Sequence, residues 1–266
     1  MALAMAFAMP LAIPLVMAFA SAPGDVRAAT AQDVDSTGAA NHTVEATIGT
    51  DVVTQYIWRG QCVGAVSLQP TLGLAWRGLS FEAWGNVGLS DPSDDKEIQL
   101  TLAYEHPCGL HIGLTDYWTA YSQRSIDEGD VTDPDNRFFC FGAHSTNHVF
   151  EANIGYDFGC LAIDWFTNIG GDDTRSASGR RTYSSYVEAS APFTLATCQW
   201  RAAIGAVPYA TDYYDRATGF SVVNVELYAQ KDIALSSRFT LPLFAAIAAN
   251  PSTRKAYFYA GLTLGI

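Results

Sequence analysis

The sequence predicts an all-β protein, a closed antiparallel transmembrane β-barrel of 12 strands that follows an N-terminal signal peptide. Three observations carry this expectation. From Val44 onward apolar and polar residues alternate with a period of two, as in strands whose two faces meet different surroundings. The connections alternate between tight turns and longer polar loops, as they do between the two ends of a bacterial outer-membrane barrel. Aromatic residues recur on the apolar face at the tight-turn ends, where membrane barrels carry interfacial girdles.

At the start of the chain, Ala2 to Ala20 is wholly apolar, interrupted only by Pro10 and Pro14. Small residues follow and offer Ala18-Phe19-Ala20, Ala20-Ser21-Ala22 or Val26-Arg27-Ala28 as cleavage signals, so residues 1–29 read as a secretory leader. The Lys or Arg usual near the start of a leader is missing, and a retained anchor helix is the alternative. Cys62 is the first cysteine, which argues against a lipoprotein anchor near the leader. Residues 30–43 form a short N-terminal segment, and residues 44–266 the barrel.

Apolar residues make up 49% of the chain and charged residues 16%, yet after Ala20 no uninterrupted apolar run approaches the roughly 20 residues that a spanning helix needs. The apolarity is spread along strands instead. The alternation places them near 44–58, 65–76, 79–89, 96–106, 109–119, 149–157, 160–168, 181–191, 198–207, 218–229, 235–249 and 255–266. Most match the roughly 9 to 11 residues of a tilted membrane strand. The clearest sets Ile98, Leu100, Leu102 and Tyr104 against Glu97, Gln99, Thr101 and Glu105. The last sets Ala256, Phe258, Ala260, Leu262, Leu264 and Ile266 against Lys255, Tyr257, Tyr259, Gly261, Thr263 and Gly265.

Arg77-Gly78, Pro107-Cys108 and Phe158-Gly159 are the tight turns, and Ser90 to Lys96, Ala120 to His148 and Gly170 to Arg180 the polar loops. With an even strand count, both termini fall on the periplasmic side. Trp76, Tyr104, Tyr156, Trp200 and Phe239 form the expected girdle at that end. Closure requires the first strand to pair with the last, because an open edge in lipid leaves a row of amides unpaired. The segment Arg137 to Ala143 is strand-like too, and reads as a hairpin arm of the long loop, since a thirteenth spanning strand would reverse the chain. A soluble sandwich or lipocalin-like barrel shows the same periodicity with its apolar face inward.

The stretch Thr54-Gln55-Tyr56-Ile57-Trp58-Arg59-Gly60 resembles the TorF-type porin family of uncharacterised outer-membrane barrels, as do Thr146 to Asp157 and Tyr183 to Ser190. The resemblance covers most of the mature chain and implies a barrel and a porin-like role. It brings no catalytic residues with it. The cysteines and the arm around Cys140 depart from the family pattern.

Function is read from the polar face, which would line the interior. Glu82, Glu97, Asp164, Glu188 and Glu226 with Arg201, Arg238 and Lys255 are the expected pore-lining residues. Acidic groups outnumber basic ones there, and Asp127, Glu128, Asp130, Asp133 and Asp135 in the long loop would gather cations at the mouth. The expected function is passive diffusion of small polar or cationic solutes with weak cation preference, in contact with outer-membrane lipids and, during biogenesis, with the barrel-assembly machinery. A small barrel can instead fill its interior with interlocked polar side chains and conduct nothing.

A lipid hydrolase is the enzymatic alternative. Its nearest candidate is His144-Ser145-Thr146-Asn147-His148, although Thr146 occupies the position where such a rim would need Ser. His144 and His148 are four apart, but no helix is expected there to turn them into metal ligands, and His106 and His111 flank a turn. No catalytic residue, metal site or cofactor is expected. The formal net charge is −12, with 15 Lys and Arg that form no cluster, which excludes nucleic acid as a partner. The five cysteines, Cys62, Cys108, Cys140, Cys160 and Cys198, leave at least one unpaired. Cys108, Cys160 and Cys198 fall at one end, where either a single disulfide or three free thiols fit.

Overall fold

A computed structural model of the protein describes residues 43–91, 93–129, 131–142, 144–176, 178–214, 217–236 and 239–265. The expected leader and nearly all of the N-terminal segment lie outside these residues, as do Asp130 and Arg238. In chain order the elements are β1 (Glu45–Val53), β2 (Tyr56–Trp58), β3 (Gln61–Gly64), β4 (Ser67–Trp76), β5 (Leu79–Gly88), β6 (Lys96–Glu105) and β7 (Leu110–Ala120). A short helix α1 (Gln123–Glu128) precedes β8 (His148–Asp157), β9 (Ala162–Gly171), β10 (Ser185–Leu195) and β11 (Cys198–Val207). The chain ends with β12 (Ser221–Ser236), β13 (Phe239–Asn250) and β14 (Lys255–Gly265).

Twelve of these strands close an antiparallel barrel in which β1 pairs with both β4 and β14, and β2 and β3 form a separate two-stranded sheet. Closure leaves no edge strand in the barrel wall. The barrel is polar inside and apolar outside: on β6, Gln99 is 1% and Thr101 8% exposed, whereas Ile98 is 38% and Leu102 50% exposed. A soluble barrel would bury the other set. Among the described residues no helix is long and apolar enough to cross a membrane. The fold is that of membrane barrels in general, which cross with strands.

The expected aromatic residues lie at the tight-turn end. Trp76, Tyr104, Tyr156 and Phe239 are exposed, while Trp200 stacks on Phe193 with ring centroids 6.0 Å apart. The tight turn Arg77-Gly78 has both residues at positive φ (49° and 81°), the conformation that suits the twist of adjoining strands.

Four local expectations are corrected. The first strand leaves the wall at Val53, and residues 56–64 fold as the β2–β3 hairpin, because the consecutive large residues Tyr56-Ile57-Trp58 cannot be divided between a lipid face and a polar face. The segment 137–142 holds turns and no strand, closed by Cys140 N donating to Arg137 O (3.1 Å), and among the described residues the loop's one regular element is α1, capped by Ser122 and Gly129. β10 starts at Ser185, not at 181, because Thr182 folds back on Thr174 and Tyr183 takes a positive φ of 52°. Finally, β12 runs on to Ser236 through Lys231 and Asp232, polar residues that read as a turn but extend the ladder opposite Leu243 and Pro242. All five cysteines are free, so no disulfide joins Cys108, Cys160 and Cys198.

Candidate functional site: a hairpin across the barrel mouth

β1 and β4 meet at the loop end of the barrel, and the hairpin between them turns inward. Its tip, Arg59-Gly60, is a two-residue turn with φ of 47° and 78°. Only glycine fits the second position, since a Cβ on Gly60 would lie 1.9 Å from the carbonyl oxygen of Val223 on β12. Asn250 Nδ2, at the end of β13, donates to Gly60 O (3.2 Å). Near the stem, the Tyr56 ring lies 5.4 Å from that of Trp84, and its hydroxyl donates to Glu97 Oε2 (3.1 Å). The hairpin thus spans the mouth from the β5–β6 wall to the β12–β13 wall.

Arg59 anchors it on the third side. Its guanidinium forms two parallel bonds to Glu151 on β8, Nη1 to Oε2 at 2.6 Å and Nη2 to Oε1 at 2.9 Å, and Nη1 also donates to the Tyr214 hydroxyl (2.6 Å). Tyr117 donates to Glu151 Oε1 (2.9 Å). Aromatic faces enclose the cation: its central carbon is 4.2 Å from the centroid of Phe166 and 4.7 Å from those of Trp58 and Tyr186. A buried charge survives only with a paired, fully hydrogen-bonded partner, and this one has both. Ile57 packs with Val53, Tyr228, Phe244 and Tyr259, whereas Trp58 packs against the cluster of Phe166, Tyr186 and Tyr214.

The expected pore-lining residues fall below and around this plug. Arg201 on β11 is held by Glu188 on β10 and reaches Glu226 on β12 (3.4 Å), while Tyr259 donates to Glu226 (3.2 Å) and Tyr186 to Glu188 (2.6 Å). Glu97 accepts from Gln99 Nε2 (2.8 Å) as well as from Tyr56. Toward the tight-turn end Asp164 meets His111 Nε2 at 2.5 Å. Glu82 is half-buried on the interior face of β5, and Lys255 is exposed at the loop end of β14. The list therefore unites Glu188, Arg201 and Glu226 in one cluster and leaves the others outside it. Sequence reasoning missed Arg59, Glu151, Tyr117 and Tyr214. The only signal for Arg59 was the Arg-Gly pair, a tight-turn dipeptide at the end of the first alternating run.

Of the long loop's acids, Asp127, Glu128 and Asp135 are exposed, whereas Asp133 is not. Asp133 is buried in the loop itself, where hydrogen bonds from Arg137 hold its carboxyl below the ordinary carboxylate range. Its amide donates to Asn147 Oδ1 (2.8 Å), which ties the loop to the start of β8.

On the outer wall, His148 is fully buried, with Nδ1 2.8 Å from Asp116 Oδ1 and Nε2 2.5 Å from Phe138 O, beneath the rings of Phe138, Phe141 and Phe150. Both ring nitrogens face oxygen acceptors. Ser145 Oγ lies 3.7 Å from Cys140 Sγ, and Thr146 Oγ1 accepts from the His148 amide, so neither hydroxyl meets the imidazole. Hydrolysis there would require Nε2 to exchange the Phe138 carbonyl for a hydroxyl. Among the described residues no group of His, Cys, Asp or Glu is arranged to hold a metal.

No family model matches the sequence, and no curated protein matches it.

Proposed function

We propose that the protein is a bacterial outer-membrane channel for small solutes, closed at its loop end by the β2–β3 hairpin, which acts as its gate. The observation that carries this reading is the Arg59–Glu151 pair: a hairpin leaves the wall and is tethered across a polar lumen by side chains, not by the barrel ladder. Side-chain tethers can exchange partners while the barrel stays intact. The apolar outer wall supports placement in a membrane, and the likeness of Thr54 to Gly60 to TorF-type porins supports the outer membrane, with both termini periplasmic. Among the described residues expected to line the lumen, Glu82, Glu97, Asp164, Glu188 and Glu226 outnumber Arg201 and Lys255, which favours cations over anions. Outer-membrane lipids and the barrel-assembly machinery are the partners this role implies.

The test is single-channel recording of the folded protein in a planar bilayer under a salt gradient, beside the Arg59→Ala variant. The wild type should open rarely and the variant often, with reversal potentials on the cation side. Silence from both, with folding verified by heat-dependent gel mobility, would overturn the channel and leave a structural barrel.

A further inference from the structure

We propose that the cage around Arg59 is a solute site, and that solutes bearing a guanidinium or amidinium group open the channel by taking the arginine's place. This deepens the gate reading above and rests on it. Sorted by element, the cage has two halves. The hairpin contributes Arg59 and Trp58, whereas Glu151 on β8, Phe166 on β9 and Tyr186 on β10 belong to three successive strands of the wall, with Phe166 directly opposite Tyr186. Tyr214, from the connection between β11 and β12, completes the wall half with its hydroxyl at 2.6 Å from Arg59 Nη1.

The wall half is held in place without the hairpin. Tyr117 on β7 donates to Glu151 Oε1 (2.9 Å), and Tyr186 donates to Glu188 Oε2 (2.6 Å). Tyr186 reaches over Gly205 on β11, where a Cβ would come within 1.9 Å of its hydroxyl oxygen. Tyr214 in turn stacks on Tyr186, with ring centroids 5.6 Å apart. Withdrawal of the hairpin therefore leaves a carboxylate flanked by aromatic faces, the chemistry that recognises an organic cation. Arg59 is a tethered copy of such a ligand.

Geometry selects the class of cation. One planar fork engages both Glu151 oxygens, an arrangement that a guanidinium or amidinium reproduces and a compact ammonium does not. Exchange also explains how opening and solute are coupled. If Arg59 leaves alone, Glu151, whose side chain is 3% exposed, loses its counter-ion in a buried place. A guanidinium solute pairs with Glu151 as Arg59 departs, so that cost is removed. Since it binds only where Arg59 is out, it shifts the hairpin toward the open state. The tethered arginine competes at an effective concentration on the order of millimolar, which sets the range the solute must reach.

The experiment follows amide hydrogen exchange by mass spectrometry in the wild-type protein, folded in neutral-detergent micelles. Ethylguanidinium chloride and, separately, ethylammonium chloride are added at about 20 mM, above the range of the tethered competitor. Ethylguanidinium should accelerate exchange across residues 56–64 several-fold, and ethylammonium far less. A calorimetric titration gives a second readout: folded Arg59→Ala should bind ethylguanidinium saturably, and adding Glu151→Gln should weaken that binding by about tenfold or more. Unchanged exchange in the wild type, equal acceleration by the two cations, or binding that Glu151→Gln leaves unaltered overturns the proposal. Neither readout uses conductance, so a silent barrel would leave the guanidinium site standing, and failure of both readouts would leave a channel with a different opener.

Discussion

Arg59 and Glu151, 92 residues apart in the chain, meet as a two-pronged ion pair across the mouth of the barrel, with both side chains nearly closed to solvent. Removing Arg59 strands a carboxylate among aromatic rings. Arg59→Ala should therefore lower stability by about 3–5 kcal/mol, the usual cost of breaking a buried pair from one side, measured by denaturant titration with tryptophan fluorescence. Glu151→Gln in the same background should recover part of the loss. Equal stability of wild type and Arg59→Ala would show that the pair does not hold the hairpin.

At the hairpin tip the constraint is steric. Gly60→Ala places a methyl group 1.9 Å from Val223 O at φ 78°, so the tip must withdraw from β12. A loss of about 1–3 kcal/mol is expected, together with more frequent channel openings in the bilayer recording. Unchanged gating with unchanged stability would mean that the tip does not seat as described.

Selectivity should follow the cluster around Arg201, which sits between Glu188 and Glu226. Glu188→Gln or Glu226→Gln should reduce cation preference and Arg201→Gln should increase it, read as opposite displacements of the reversal potential. No displacement in any of the three would remove this cluster from the conduction path.

The long loop should respond to acid. Asp133 has a carboxyl lowered by Arg137, so it binds a proton less readily in the folded loop than in the unfolded chain. Its contribution is present above the ordinary aspartate value of about 4 and is lost as pH falls through the lowered value. Amide hydrogen exchange at Asn136 and Arg137 should accelerate below that range. Arg137→Ala should move the acceleration to higher pH.

Most of the wall was legible because alternation is a local signal: Gln99, Thr101 and Ala103 are buried as the period demands, and so is Tyr259. Boundaries failed where polarity was mistaken for a turn, as at Lys231-Asp232, which stay in the ladder because the strand simply runs past the others. The plug was not legible. Tyr56 to Trp58 read as more wall, and nothing near Arg59 in the chain points to Glu151 or Tyr214, whose meeting with it depends on barrel closure. Likewise, the long loop's acids read as a charge cluster, whereas Asp133 turns out to brace its own loop, a difference set by backbone bonds that composition does not record.

The pairing of β1 with β14, from Gly49 opposite Gly265 to Val53 opposite Gly261, also governs the order of assembly. The earliest strand of the barrel cannot complete its ladder until β14 has been made and delivered, so among the described strands the seam is the most non-local pairing and should be slow to form. Until then the chain carries two sticky margins, and a copy that lost its last strand would tend to complete itself on a neighbour.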